Sequence, residues 1–319
     1  MNNLLIIIII AVIVILFVMN RHNHITYKKE DPILDDINPE ILRQVNNGKI
    51  NAWMFCNNRD LNFKMNWRYP QLKYNYTYPF EVLCVETFIK NMTKHNVNVI
   101  VLSDKNIRKY VPDFPIQIKH NGYQDKKVID LLGAYILERY GGLWVSPYTV
   151  TLNKNYSQLL SEIQHNDIVT FGTSTNIDNC YDNVVNNNII GCKKYSPVIK
   201  KYKDLMKSYV SSNQYKYLYN HVNNDPEPLS EAIVATNPIH VHHSCKTDGS
   251  YNINSRKIHM DEFFGKMPLQ FLDPSKLMFI SIPYNELETD TTYVWIKSTP
   301  INQLLNSGIT VIDVLKKQL

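Results

Sequence analysis

The longest apolar run in the chain is Leu4–Met19, aliphatic throughout with one Phe. At about 1.5 Å per residue, a helix here covers most of a roughly 30 Å hydrocarbon core. No basic residue precedes the run, it exceeds the apolar region of a signal peptide, and Val18-Met19-Asn20-Arg21 is a poor cleavage sequence. The pattern therefore predicts an uncleaved single-span anchor over 1–20. His22–Lys49 is polar, holds Pro32 and Pro39 and lacks an apolar period, so 21–48 reads as a stem. From Ile50 the pattern changes. Ile50–Cys56 reads as a strand, Phe80–Asn91 has apolar positions at helical spacing behind Pro79, and Asn98–Leu102 is a second strand. Strand, helix, strand predicts a βαβ unit in a parallel sheet, whose ligands sit beyond the carboxyl ends of the strands. Ile129–Leu137 is again helical, runs into Tyr140-Gly141-Gly142, and leads to a short apolar strand at Leu143-Trp144-Val145. Past Glu262 the pattern gives packed loops and a terminal helix within Ser307–Leu319. The expected division is 1–20 anchor, 21–48 stem, 49–265 main domain and 266–319 a C-terminal extension packing on it.

Composition narrows the function classes. The net charge of +5 is spread over isolated pairs such as Lys126-Lys127, Lys193-Lys194 and Lys200-Lys201. That is a solvated surface and gives no nucleic-acid footprint. Five widely spaced cysteines form no CxxC pair, which excludes a zinc ribbon or a thioredoxin site. Cys56 and Cys84 lie in apolar segments as ordinary buried thiols. Cys180 and Cys192 are candidates for a pair that sequence alone does not establish.

Lys126–Leu152, with its helix, double glycine and strand, resembles the core of the DXD-motif sugar transferases, the capsular-polysaccharide-synthesis and Och1-like glycosyltransferases. Trp53, the element Cys84–Phe88, the run Leu102–Ile107, and Asn188–Cys192 followed by Ser196–Ile199 keep the order of that family over about residues 50–252. The resemblance implies an α/β fold of the GT-A (Rossmann-like) class behind the membrane helix. It also implies a nucleotide-sugar donor and a glycan or glycoprotein acceptor. Its usual cofactor is Mn2+ or Mg2+, which bridges the diphosphate and stabilises the leaving group. Here the two metal-binding aspartates are replaced by Ser146 and Tyr148, a neutral hydroxyl and a phenol, where a hard cation needs carboxylate oxygens. The Arg of the family's D-L-L-R is Gly133.

The resemblance marks Asp130 and His243 as catalytic candidates. It marks Trp53, Asp130, Gly141, Gly142, Ser146, Tyr148, Ser250 and Tyr251 as nucleotide-sugar contacts, with Trp53 stacking on the base and the glycines admitting close backbone approach. Each has a plainer reading. Trp53 also suits core packing, and Asp130 suits a helix N-terminus favoured by the dipole. In His240-Val241-His242-His243, strand alternation puts His240 and His242 on one face and His243 on the other, which argues against one three-histidine site. His242 and His243 remain candidate metal ligands, and Asp125, Glu138, Asp167, Asp178 and Asp182 are other acids in reach of the sequence pattern.

Two readings stand: a membrane-anchored glycosyltransferase with a degenerate metal motif, or a catalytically inactive GT-A pseudoenzyme that binds or scaffolds. Localisation is expected at a membrane of Golgi, ER or host type. Arg21, Lys28 and Lys29 after the span favour a cytoplasmic body. Sequons at Asn75, Asn91 and Asn155 favour a lumenal one. The sequence leaves orientation open.

Overall fold

The structure is a computed structural model. It describes residues 39–56, 79–103, 105–115, 126–172, 185–211, 228–244, 246–283, 291–293, 295–296 and 299–319. The anchor at Leu4–Met19, most of the stem, and Asp125, Asp178, Cys180 and Asp182 lie outside the described residues. Among those described, no helix is long and apolar enough to cross a membrane.

In chain order the elements are α1 (Pro39–Val45), β1 (Asn51–Phe55), α2 (Pro79–Met92), β2 (Asn98–Leu102), α3 (Ile107–Tyr110), α4 (Lys126–Tyr140), β3 (Gly142–Val145), β4 (Thr149–Thr151), α5 (Ser157–His165), β5 (Ile168–Gly172), β6 (Val185–Cys192), α6 (Pro197–Ser211), α7 (Pro228–Thr236), β7 (His240–His243), α8 (Met260–Phe263), β8 (Phe279–Ser281), α9 (Ile301–Leu305) and α10 (Thr310–Gln318). The main sheet runs β2-β1-β3-β6-β5-β7, and β4 pairs with β8 in a separate ribbon. β1 is parallel to β2 and β3, and β5 to β7, while β6 is antiparallel to both its neighbours. The mixed α/β architecture with a mostly parallel sheet is the one the sequence pattern predicts. The helix α1 falls within the stretch read as stem, and it buries Val45.

Strand alternation assigns the two faces of the sheet. Ala52, Met54, Leu143, Val145, Val169, Phe171 and Ile189 pack against Val85 and Phe88 of α2 and Leu159, Leu160 and Ile163 of α5. The opposite face meets α4, where Trp144 lies against Gly133. A Cβ on Gly133 would sit 2.7 Å from the Trp144 indole, so no longer side chain fits there. This is the physical counterpart of the missing Arg: the volume is filled by tryptophan. A third apolar cluster joins Phe80 and Leu83 of α2 and Val150 of β4 to Leu304, Val311 and Ile312 from the end of the chain. Residues after 265 thus help to form the core around α2.

The double glycine is explained by backbone geometry. Gly141 (φ 64°) donates its N–H to the Leu137 carbonyl at 2.8 Å and closes α4 with a left-handed residue. Gly142 (φ 100°) then passes the Asn51 carbonyl so closely that a Cβ would lie 2.1 Å from its oxygen. β3 can pair with β1 only if this position has no side chain.

Candidate functional site

The parallel strands β1, β2, β3, β5 and β7 all end on one edge of the sheet, and β6 begins there. β6 carries an irregularity: Thr170 and Phe171 are consecutive, but their partners on β6 are Ile190 and Asn186. Extra residues on one strand disrupt the ladder and re-aim side chains. The result at Asn186-Asn187-Asn188 is a fan of three amides directed to three elements. Asn187 Nδ2 donates to Asp130 Oδ2 of α4 at 3.0 Å. Asn186 Nδ2 donates to Asp248 Oδ2 at 3.1 Å, and Asn188 Nδ2 to Ser281 Oγ of β8 at 2.7 Å. The fan is tied down at both ends. Asp248 Oδ1 accepts the Ser250 N–H at 3.1 Å, and the Asp248 carbonyl accepts the Ser281 N–H at 2.9 Å. On β3's side, the Ser146 N–H donates to the Asn188 carbonyl at 2.7 Å.

This edge therefore gathers four residues the sequence singled out, Asp130, Ser146, Ser250 and, next in chain, Tyr251. All four are buried. Asp248 is wholly buried, and burial pushes its carboxyl up to about 6, against the pull of hydrogen bonds from Ser250 and Asn186. Asp130 is neither a solvated helix-end carboxylate nor a bare acid. It is 5 % exposed with one oxygen fixed by an amide. Sequence reasoning missed Asn186, Asn187, Asn188 and Asp248. In an asparagine-rich chain a run of three looks compositional. The signal available was its place, directly before the apolar Ile189-Ile190 of a buried strand.

Tyr148 does not join the edge. It is 2 % exposed inside the cluster around α2, and its hydroxyl donates to the Glu81 carboxylate in the first turn of α2. Its expected role as a donor contact is corrected for that reason. Trp53 is corrected too. It is fully buried, donates its indole N–H to the Gly141 carbonyl at 2.9 Å and packs on Tyr110 and Tyr140, which leaves no face for a nucleobase. Gly141 and Gly142 lie at the opposite end of β3 from Ser146. The groups that approach them are the Lys194 backbone and the Asn51 carbonyl rather than a ligand.

The histidines divide as strand alternation requires. The Thr170 hydroxyl lies 2.6 Å from His240 Nε2 and 2.9 Å from His242 Nδ1. With the hydroxyl donating to one ring and accepting from the other, the two imidazoles hold the same tautomer, both Nδ1–H or both Nε2–H. Burial lowers the affinity of both for a proton, and His242, also repelled by His240 and His243, drops to about 4. His242 Nε2 is buried without a partner among the described residues. His243 points the other way, with Nε2 2.6 Å from Glu162 Oε2 of α5 and its ring stacked on Phe171. It thus lies on the α2–α5 face of the sheet, opposite the α4 face that carries Asp130. The pairing of Asp130 with His243 in one catalytic site is therefore corrected. Glu138 is bound to Lys203, and Asp167 to Lys193 at 2.8 Å, both near the amino edge. Cys192 is a buried free thiol.

The donor set does not fit the hard cation that the resemblance implies. Among the described residues no three His, Cys, Asp or Glu side chains converge. Ser146 offers a neutral hydroxyl, Tyr148 is turned to Glu81, and the Asp248 carboxylate is occupied by Asn186 and Ser250.

Residues 82–223 match the family model described as capsular polysaccharide synthesis protein. The resemblance read from the sequence is thereby shown over that span. No curated protein matches the chain. Among solved structures, the PaToxG glycosyltransferase is similar at 13% identity and a TM-score of 0.34, covering 59% of this chain and 69% of that one. The galactosyltransferase LgtC, in complex with donor and acceptor sugar analogs, is similar at 10% identity and a TM-score of 0.36, covering 85% of this chain and 100% of that one. An active-site mutant of LgtC gives 8% identity and a TM-score of 0.34, with 73% and 87% covered.

Proposed function

We propose that the protein is a glycosyltransferase-type protein that binds a nucleotide-sugar at the carboxyl edge of its main sheet and passes the sugar to a glycan or glycoprotein. The observation that carries this reading is the network Asp130–Asn187, Asn186–Asp248 and Asn188–Ser281. It fixes a carboxylate and several amides at the place where parallel sheets bind ligands. The family match over 82–223 supports sugar transfer in general. In this reading Asp130 accepts hydrogen bonds from sugar hydroxyls, with Asn187 holding it in one orientation. Ser146, on the turn after β3, joins the same run of asparagines through the Asn188 carbonyl. Leu4–Met19 anchors the protein in a membrane, by the length and composition of that run.

A thermal-shift titration of the full chain with UDP, GDP and a panel of nucleotide-sugars tests the reading. A ligand at about a hundred times its Kd stabilises by roughly 2.7 kcal/mol, which a melting curve resolves. A shift with at least one donor, followed by release of the nucleotide when acceptor glycans are added, is the expected outcome. No shift with any nucleotide ends it.

One observation favours a second reading, a pseudoenzyme that binds without transfer. The position of the second metal aspartate has become Tyr148, packed in a core and bonded to Glu81. Donor binding with no turnover on any acceptor is the result that distinguishes it.

A further inference from the structure

The turn Ser146–Tyr148 stands where the resemblance places two metal-binding aspartates, and protein groups hold it from both sides. Towards β6, the Ser146 N–H donates to the Asn188 carbonyl at 2.7 Å. Within the turn, the Thr149 N–H donates to the Ser146 carbonyl at 3.1 Å. Towards α2, the Tyr148 hydroxyl donates to Glu81, and the Cys56 thiol reaches the other Glu81 oxygen at 4.0 Å. Glu81 is 2 % exposed and sits in the first turn of α2, where the helix dipole favours a carboxylate. Tyr148 adds its ring to the apolar cluster that unites α2 with β4 and β8.

We propose that nucleotide-sugar binding at this edge is independent of a divalent cation, the Tyr148–Glu81 contact having taken over the fixing of the turn. The inference rests on the donor-site reading above and deepens it. Its physical basis is the donor inventory. A hard cation is held by several oxygens, most of them anionic. The turn supplies a hydroxyl and a phenol, and the phenol is consumed by a carboxylate that the turn itself has buried. Tyr148 and Glu81 are positioning residues here, acting through the backbone of the turn rather than by touching the donor.

The test uses the full chain with manganese and with EDTA. Free Mn2+ is followed by electron paramagnetic resonance, and nucleotide-sugar affinity by calorimetry in both conditions. The expected result is a free-manganese signal with protein and donor no weaker than with donor alone, and affinities within twofold in the two conditions. Tyr148→Phe, which keeps the ring, should then weaken donor binding several-fold and lower Tm by a few degrees, equally in manganese and in EDTA. Glu81→Gln alone, which retains an acceptor for the Tyr148 phenol, should keep most of the binding. Uptake of one manganese per chain, or binding that needs manganese, overturns the inference while leaving the donor site standing. Tyr148→Phe with unchanged donor affinity also overturns it, since the turn then does not depend on the contact. Absence of nucleotide binding in either condition is the failure of the donor-site reading, and the inference falls with it.

Discussion

Asp248→Asn isolates the most unusual electrostatic feature of the candidate site. The carboxyl is wholly buried, and burial lifts it from 3.8 to about 6 despite hydrogen bonds from Ser250 and Asn186. The difference is about 2 units, or roughly 3 kcal/mol at 1.36 kcal/mol per unit. The sign follows from which state holds the proton. Below pH 3.8 both folded and unfolded chains carry it, and Asp248 contributes nothing to the pH dependence. Between 3.8 and about 6 the unfolded chain loses its proton while the native one keeps it, so native stability falls as pH rises. Above 6 the full cost of the buried charge is present. The Asn variant has no charge to bury. Its changed hydrogen bonding adds an offset that is the same at every pH. Urea unfolding of the two proteins at intervals from pH 4 to pH 7.5 should show wild type losing about 2.4 kcal/mol relative to the variant, with most of the change between 4 and 6. Subtracting the two curves cancels the titration of all other groups. A difference that stays flat across this range refutes the reasoning and places Asp248 in contact with water or a cation.

Other expectations follow from the same geometry. Gly142→Ala forces a Cβ to 2.1 Å from the Asn51 carbonyl at φ 100° and should destabilise by about 3–5 kcal/mol in denaturant unfolding, whereas Gly48→Ala, at φ 82° with open space around it, should lose only about 1 kcal/mol. Asn187→Ala removes the amide that orients Asp130 and should weaken nucleotide-sugar affinity about tenfold or more by calorimetry, as expected for a hydrogen bond to a charged group. His243→Ala should leave that affinity within twofold, because His243 lies on the other face against Glu162, and its stability loss should stay near 1 kcal/mol. His242 has its proton affinity lowered from 6.5 to about 4. Its contribution to stability is therefore present above pH 6.5 and lost as pH falls through 4, and His242→Gln should flatten acid unfolding in that window.

The sequence made the frame legible because its elements rest on local pattern. Asn51–Phe55, Pro79–Met92 and Asn98–Leu102 form the expected strand, helix and strand, and Thr310–Gln318 the expected terminal helix. Asp130 and Ser146 were legible through the spacing of the double glycine, although the glycines themselves serve backbone packing. The remainder depends on tertiary partners that no local pattern encodes. Glu81 reads as an ordinary first-turn acid until Tyr148 is placed against it. The asparagine fan depends on an irregularity in β6, and a shift of register leaves no mark in composition. Gly133 looked like a lost arginine, and its reason is the Trp144 ring eleven residues later. The two catalytic candidates were separated for a similar reason. Alternation was readable within His240–His243, but which face α4 would cover was not.

Hydrogen–deuterium exchange of the full chain with and without a saturating nucleotide-sugar is the most direct test of the central claim. The account predicts slowed exchange at the carboxyl edge, in the turn after β3, at the start of β6 and around Asp248–Tyr251, and no change at Gly141-Gly142 or α1. Protection confined to the amino edge, around Asn46–Asn51 and Lys193-Lys194, would contradict it.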